Sequence, residues 1–427
     1  DCNRKATRSL PMNLSAPLIA PWGYPNREGD LSHPGTTVTV ASVGGAIPAS
    51  PASPQRIGFV DLLRGAVMVV MALDHARIFF SNSPFQPEDL AQSNVPLFFT
   101  RWITHFCAPV FFLLAGTGVG FALMRGHTPA EASRFLLTRG LWLVILELTV
   151  VAIAWNFSFQ LVPMVGIVIW ALGWSMVCLA LLIRLPRAVL ITIGVAMIAG
   201  HNLFDGVTPL SLGAVGPLWT VLHVQGEVTP WLWVNYPLVP WIGVMSLGYI
   251  LADVYRWEAA RRRRFLLGAG IGASVAFIAL RAINGYGNPM PWTTQRSVAL
   301  SVASFLNVEK YPPSLDYLLM TLGPMLVVLA LLERAKGTVA RWVTVFGRVP
   351  MLYYFLHLYL IHALAVVVVL ATNAFTDTPA NGLSAWGGVS LPGVYLVWAL
   401  VMVLMYLPCR WFAEVKARRR DWWLSYL

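Results

Sequence analysis

From residue 58 to residue 411 the chain passes through one long apolar stretch after another, and this succession restricts what it can fold into. The stretches cover 58–80, 97–124, 135–155, 162–183, 188–204, 231–253, 265–283, 316–333, 345–371 and 389–411. Most reach the ~20 residues that a helix needs to cross a hydrocarbon core. They are continuous rather than alternating, so helices are expected and a β-barrel is not. Only 11% of the residues are charged, against about 25% in an ordinary soluble domain, which is too few to cover a water-facing surface. The expected fold is all-α: a polytopic integral membrane bundle of about ten transmembrane helices.

Orientation follows from where the Arg and Lys residues fall. They sit after the second stretch (Arg125, Arg134, Arg139), the fourth (Arg184, Arg187), the sixth (Arg256, Arg261 to Arg264), the eighth (Arg334, Lys336, Arg341) and the tenth (Arg410, Lys416, Arg418, Arg419, Arg420). The odd-numbered exits carry few such charges. This alternation predicts ten spans with both termini cytoplasmic, in the cell (inner) membrane. The net charge of +11 is then a topology and anionic-lipid signal, and nucleic acid is not an expected partner. Residues 1–55 are rich in Pro, Gly, Ser and Thr and lack an apolar period, which predicts a disordered N-terminal tail. Residues 56–411 are expected to form the transmembrane domain, and 412–427 a basic cytoplasmic tail. The four cysteines (Cys2, Cys107, Cys178, Cys409) form no CxxC pair, so neither a disulfide framework nor a zinc site of that kind is expected.

Ionisable groups inside a bilayer are costly and mark functional positions. The first stretch carries Asp61 and Arg64, three apart and able to pair on one face, and then Asp74, His75 and Arg77 near its other end. Arg101 and His105, four apart, fall in the outer half of the second stretch. His201 and Asp205 close the fifth, His223 lies in the connection after it, and His357 and His362 lie in the ninth. Six of the eight histidines thus map to the outer half of the bundle. Histidine titrates near neutral pH and is the usual general base. It is also a metal ligand, but no HExxH or comparable spacing is present and no metal is expected. Glu147, in the middle of the third stretch, must be protonated or paired. Two outer connections, about 205–230 and 284–315, are long enough to suggest function, and the second carries Glu309, Lys310, Tyr311, Pro312, Pro313 and Ser314.

The segment FVDLLRGAVMVVMALDHARIFF (59–80) resembles the opening helix of the bacterial heparan-alpha-glucosaminide N-acetyltransferase-like membrane proteins. HFCAPVFFLLAGTGVGF (105–121), LWLVILELTVV (141–151), HNLFDG (201–206), NYPLVPWIGVMSLGY (235–249), KYPPSLDYLLMTLGP (310–324) and FGRVPMLYYFLHLYLIHALA (346–365) follow in the same order. The resemblance implies a multi-pass acyltransferase that takes acetyl from cytosolic acetyl-CoA and delivers it to an amino sugar across the membrane. Lysosomal members have Asn where this chain has His75, and their catalytic histidine lies between helices one and two. This chain has no His between Ala76 and Thr104, and His75 and His105 flank that segment.

Acyl transfer needs a base, a group that orients it, and donors for the oxyanion. The expected catalytic set is His75, His105 and Asp74. Arg64, Arg101, Glu147, His201, Asp205, Tyr311, Ser314, His357 and His362 are expected to contact substrate. Arg139, Arg261, Arg262 and Arg348 are expected to hold the phosphates of coenzyme A. The donor is acetyl-CoA or a longer acyl-CoA and the acceptor a sugar or glycan. The other expected partners are membrane lipids and, as a homodimer, a second copy. The alternative is a secondary transporter of a small or anionic solute, which would also place His, Asp and Glu in the bundle and break helices at Pro240 and Pro350. A tunnel reaching the histidines from the cytoplasmic face favours the transferase. A central cavity between two pseudosymmetric halves favours the transporter.

Overall fold

The computed structural model describes residues 58–159, 161–372, 388–419 and 421–426, so the expected tail at 1–55 lies outside the described residues. Fifteen α-helices follow in order: α1 (Gly58–Phe80), α2 (Val95–Trp102), α3 (Cys107–Met124), α4 (Pro129–Leu146), α5 (Ala152–Asn156), α6 (Val168–Leu182), α7 (Arg187–Ala199), α8 (Gly216–Leu222), α9 (Val239–Leu251), α10 (Ala259–Ile283), α11 (Val298–Leu306), α12 (Leu315–Leu332), α13 (Thr338–Arg348), α14 (Pro350–Thr372) and α15 (Leu391–Arg418). A 3-10 turn joins α2 to α3, and a π-helical turn joins α4 to α5. Among the described residues, six helical segments are long and apolar enough to cross a membrane: Val95–Met124, Pro129–Asn156, Ala259–Ile283, Leu315–Leu332, Pro350–Ala371 and Leu391–Arg418. The chain is a multi-pass, all-α membrane protein. The other four apolar stretches form α1, which carries four charged residues, and α6, α7 and α9, of 15, 13 and 13 residues.

Several of the expected spans have different bounds: the helix of the stretch expected at 162–183 starts only at Val168, after a strand, and that of 188–204 ends at Ala199. The stretch expected at 231–253 begins with a strand, and its helix starts only at Val239. Pro240 lies in the first turn of α9, where its missing N–H has no intrahelical partner to lose, so it starts a helix rather than breaking one. The stretch expected at 345–371 is broken where sequence suggested. Val349, before Pro350, leaves the helical region at φ −131°, ψ 52°, which separates α13 from α14.

Helices pair through small residues, because lipid provides no hydrophobic drive for their association and close van der Waals contact must serve. α4 lies on α6, α10 on α12, α3 and α7 on α9, and α1 on α13. At the α4–α6 crossing the backbones touch: a Cβ on Gly140 would stand 2.6 Å from the Gly173 carbonyl oxygen, and one on Gly173 2.5 Å from that of Gly140. α1 is the central strut and also packs on α3, α12, α14 and α15. Three short strands, β1 (Met164–Gly166), β2 (Gly226–Thr229) and β3 (Leu232–Val234), form a sheet in the order β1-β3-β2. β1 runs parallel to β3 with Gly166 opposite Val234, which sets Ile167 beside Asn235 and Tyr236 at the mouth of the site.

Candidate acyl-transfer site

One end of the bundle is basic. A cavity of ≈ 340 Å³ opens there, with Arg64, Arg139, Arg348 and Lys416 in its lining. The rest of its lining is mostly apolar, with Met68, Phe111, Leu114, Leu143, Leu172 and Tyr354 among others. A second cavity of ≈ 210 Å³ lies further along α1, lined by Asp74, His75, Arg101, Tyr236, Lys310 and Tyr311. The two share Phe111, Val168 and Tyr354 as a wall. A third cavity, of ≈ 590 Å³, opens at the far end, and Ile78, Arg101, Lys310 and Tyr311 divide it from the second. Arg64 and His75, eleven residues apart on α1, are about 16 Å apart along its axis, so one helix reaches from the first cavity to the second.

His75 Nδ1 lies 2.7 Å from His357 Nε2, and His357 Nδ1 lies 2.8 Å from the Tyr353 carbonyl oxygen. A carbonyl only accepts, so His357 must carry its proton on Nδ1. Its Nε2 then accepts from the Nδ1–H of His75, and the lone pair of His75 is left on Nε2. The rings of His357 and Tyr353 stack, as do those of His357 and His75. His357 is fully buried and lines none of the three cavities, so it stands behind His75 rather than in a cavity wall.

Asp74 does not orient an imidazole as expected. Its Oδ1 accepts from Arg77 at 2.9 Å and its Oδ2 from Arg101 at 2.5 Å. Arg101 also donates from Nε to Glu88 at 2.7 Å. Two carboxylates and two guanidiniums thus compensate one another, which a buried network requires. Burial works against the charge on Glu88, but Arg101 and His105 together outweigh it and hold that carboxyl well below its usual range. The Lys310 ammonium stands 5.1 Å from the Tyr311 ring centre and 5.7 Å from that of Tyr236. Burial raises the Tyr311 phenol, but Lys310 and Arg101 outweigh burial and bring it below its ordinary value. His105 lines the far cavity rather than the middle one, and its Nε2 is 3.8 Å from Glu88.

Several expected substrate contacts hold the fold together instead. Glu147 accepts from the backbone N–H groups of Ile169 (2.8 Å) and Trp170 (3.1 Å), and so caps α6 from another helix. Ser314 caps α12 through the Tyr317 N–H. His362 donates to the Ala154 carbonyl and stacks on Phe157. Arg64 pairs with Asp61 at 2.9 Å, as their spacing predicted, while also lining the basic cavity. Of the expected phosphate ligands, Arg139 and Arg348 reach that cavity. Arg261 lies over the Trp257 ring and Arg262 pairs with Glu333, so both serve the start of α10 and are removed from it. His201, Asp205 and His223 cluster away from all three cavities. The sequence did not single out Lys310, Tyr236, Tyr354 or Glu88 as site residues. The long connection containing Lys310 was the one available signal.

The family model described as heparan-alpha-glucosaminide N-acetyltransferase, catalytic, matches residues 56–283. The chain belongs to this heparan-alpha-glucosaminide N-acetyltransferase family. That match takes in α1, Phe111 and Val168 of the wall between the first two cavities and the Asp74–Arg101–Glu88 network, but ends before Lys310, Tyr354 and His357. A search of curated proteins found no match. Membership of the heparan-alpha-glucosaminide N-acetyltransferase family makes the chain a transferase-family membrane protein.

Proposed function

We propose that the chain is a transmembrane acyltransferase that takes an acyl group from acyl-CoA at its basic, cytoplasmic end and passes it to a sugar or glycan amine or hydroxyl in the far, external cavity. The observation that supports this reading is the chain of three cavities with shared walls, with His75 in the middle one. The basic residues lining the first cavity suit the phosphates of coenzyme A and the apolar ones its pantetheine arm. At the end of that arm the thioester meets the middle cavity. His75 Nε2 takes a proton from the acceptor as it attacks the thioester carbonyl carbon. The oxyanion forms beside Lys310 and Tyr311. It then collapses, the C–S bond breaks, and the proton passes from His75 to the departing thiolate.

The test uses purified full-length protein, labelled acetyl-CoA and an amino-sugar-terminated glycan. His75→Ala is expected to lower transfer at least ~100-fold, the lower end of a general base contribution, while acyl-CoA still raises the melting temperature. Near-normal transfer by His75→Ala would overturn the assignment of the base. No thermal shift at millimolar acyl-CoA would overturn the donor.

A further inference from the structure

Beyond the acyl-transfer path, two buried histidines and a carboxylate converge at the far end of α7. His201 and Asp205 lie in and just after the 3-10 turn that follows α7, and His223 caps the C-terminus of α8. One ligand atom from each lies within 4.8 Å of the others. His201 is 4% exposed and His223 3%, yet none of their four ring nitrogens has a hydrogen-bond partner. Backbone polar groups of Pro313, near His201, and of His201, Phe204 and His223 itself, near His223, approach these rings without hydrogen-bond geometry. Leaving a buried ring nitrogen unmatched is costly, and here four are left in two touching rings.

The Asp205 carboxylate is held as a metal ligand's would be. Asn202 Nδ2 donates to its Oδ2 at 2.9 Å, and its Oδ1 faces His223 Nε2 at 3.9 Å. That distance is too long for a hydrogen bond but short enough for two groups that share an ion. The Asp205 side chain remains 25% exposed, which provides a way in for an ion and room for a water ligand. The His201 and His223 rings meet edge to face with centres 5.5 Å apart, and Trp219 packs against the second at 4.7 Å.

We propose that His201, Asp205 and His223 bind a divalent transition-metal ion, zinc by the character of the set. Two imidazoles and one carboxylate suit zinc, which accepts three protein ligands and a water in a tetrahedron. Bonds of about 2.0–2.1 Å put tetrahedral ligand atoms about 3.3 Å apart, so the cluster closes by side-chain rotation of about 1.5 Å or less. With one ring nitrogen of each histidine on the metal, the other can turn its N–H to a nearby carbonyl, the usual outer-shell arrangement. Asn202, which also accepts from the Leu315 N–H at 2.9 Å, ties the site to the start of α12. The ion would clip the two ends of the 201–223 connection to each other, and Asn202 would carry that brace to the start of α12, next to the segment that holds Lys310 and Tyr311. Its role is bracing, and it takes no part in the transfer chemistry.

The experiment measures zinc binding to the chelator-treated full-length protein in detergent, by competition with a chromophoric chelator, together with the melting temperature. Wild type is expected to take up one zinc per chain and melt higher with zinc. His223→Gln and Asp205→Asn should each weaken binding at least about 100-fold, and Asn202→Ala about 10- to 100-fold, as outer-shell changes do. Cobalt in place of zinc should give the strong visible bands of a four-coordinate site in wild type only. If His223→Gln fails to fold, Asp205→Asn, at a partly exposed side chain, decides the question. Zinc uptake or thermal shift that is unchanged in Asp205→Asn overturns the site, as does the absence of uptake in wild type. Neither outcome bears on acyl transfer, which is read by a separate assay.

Discussion

Replacing His357 with leucine separates a residue that acts on substrate from one that acts through His75. The 2.7 Å bond from His75 Nδ1 is made to a fully buried acceptor, and leucine removes that acceptor while filling similar space. A buried N–H left without a partner costs about 1–3 kcal/mol. If His75 must pay that cost to keep its lone pair on Nε2, the rate falls roughly 5- to 150-fold at 1.36 kcal/mol per tenfold. The loss should appear in kcat, with the KM for acyl-CoA unchanged, because His357 lines no cavity. His357→Gln can present an amide oxygen to His75 and should recover part of the loss. The decisive comparison is the double variant. If His357 works only through His75, His75→Ala with His357→Leu is no slower than His75→Ala alone. Steady-state transfer by the four proteins, normalised to folded enzyme, gives the cycle. Multiplying losses would refute the relay, and so would wild-type kcat in His357→Leu.

The remaining predictions rest on other contacts. Glu147→Leu leaves the Ile169 and Trp170 N–H groups of α6 unpaired and should destabilise the protein by about 1–3 kcal/mol for each, read as a lower melting temperature, while Glu147→Gln keeps an acceptor and costs less. Arg139→Ala and Arg348→Ala should raise the KM for acyl-CoA without changing that for the acceptor, whereas Arg261→Ala, away from the basic cavity, should leave both unchanged. Reporter fusions after residues 130, 260 and 337 should read cytoplasmic, and those near 215, 300 and 380 external. An inverted reading at 260 would refute the orientation.

The helices were legible because each apolar run is longer than any strand and its content is unbroken by alternation. α1 ends within the bounds expected of it, 58–80, and Pro350 breaks the chain where its missing N–H requires. The site was legible only in part. His75 and His357 are 282 residues apart, and nothing in either segment shows that they touch. Asp74 and His75 are neighbours in sequence, which suggested a pair, but adjacent helical residues point about 100° apart and Asp74 meets two arginines instead. Glu147 looked like a buried charge in search of a substrate, because the N-terminus it caps begins twenty residues later. The arginine run at 261–264 carried two signals at once, topology and phosphate binding, and the geometry of Arg261 and Arg262 serves local packing.

The two shared walls between the cavities have a consequence for the cell that hosts the protein. In a bilayer, a passage open from end to end would let protons and salt run down their gradients and would let water hydrolyse the thioester. On one side Phe111 and Tyr354 provide an oily plug, and on the other Arg101 and Lys310 with Tyr311 form a charged one. An inorganic cation meets aromatic side chains at the first and the Lys310 ammonium at the second. Under the proposed function, the same side chains that would bring the two substrates together would also serve as the membrane's insulation at this point, so their replacement would bear on ion leak as well as on turnover.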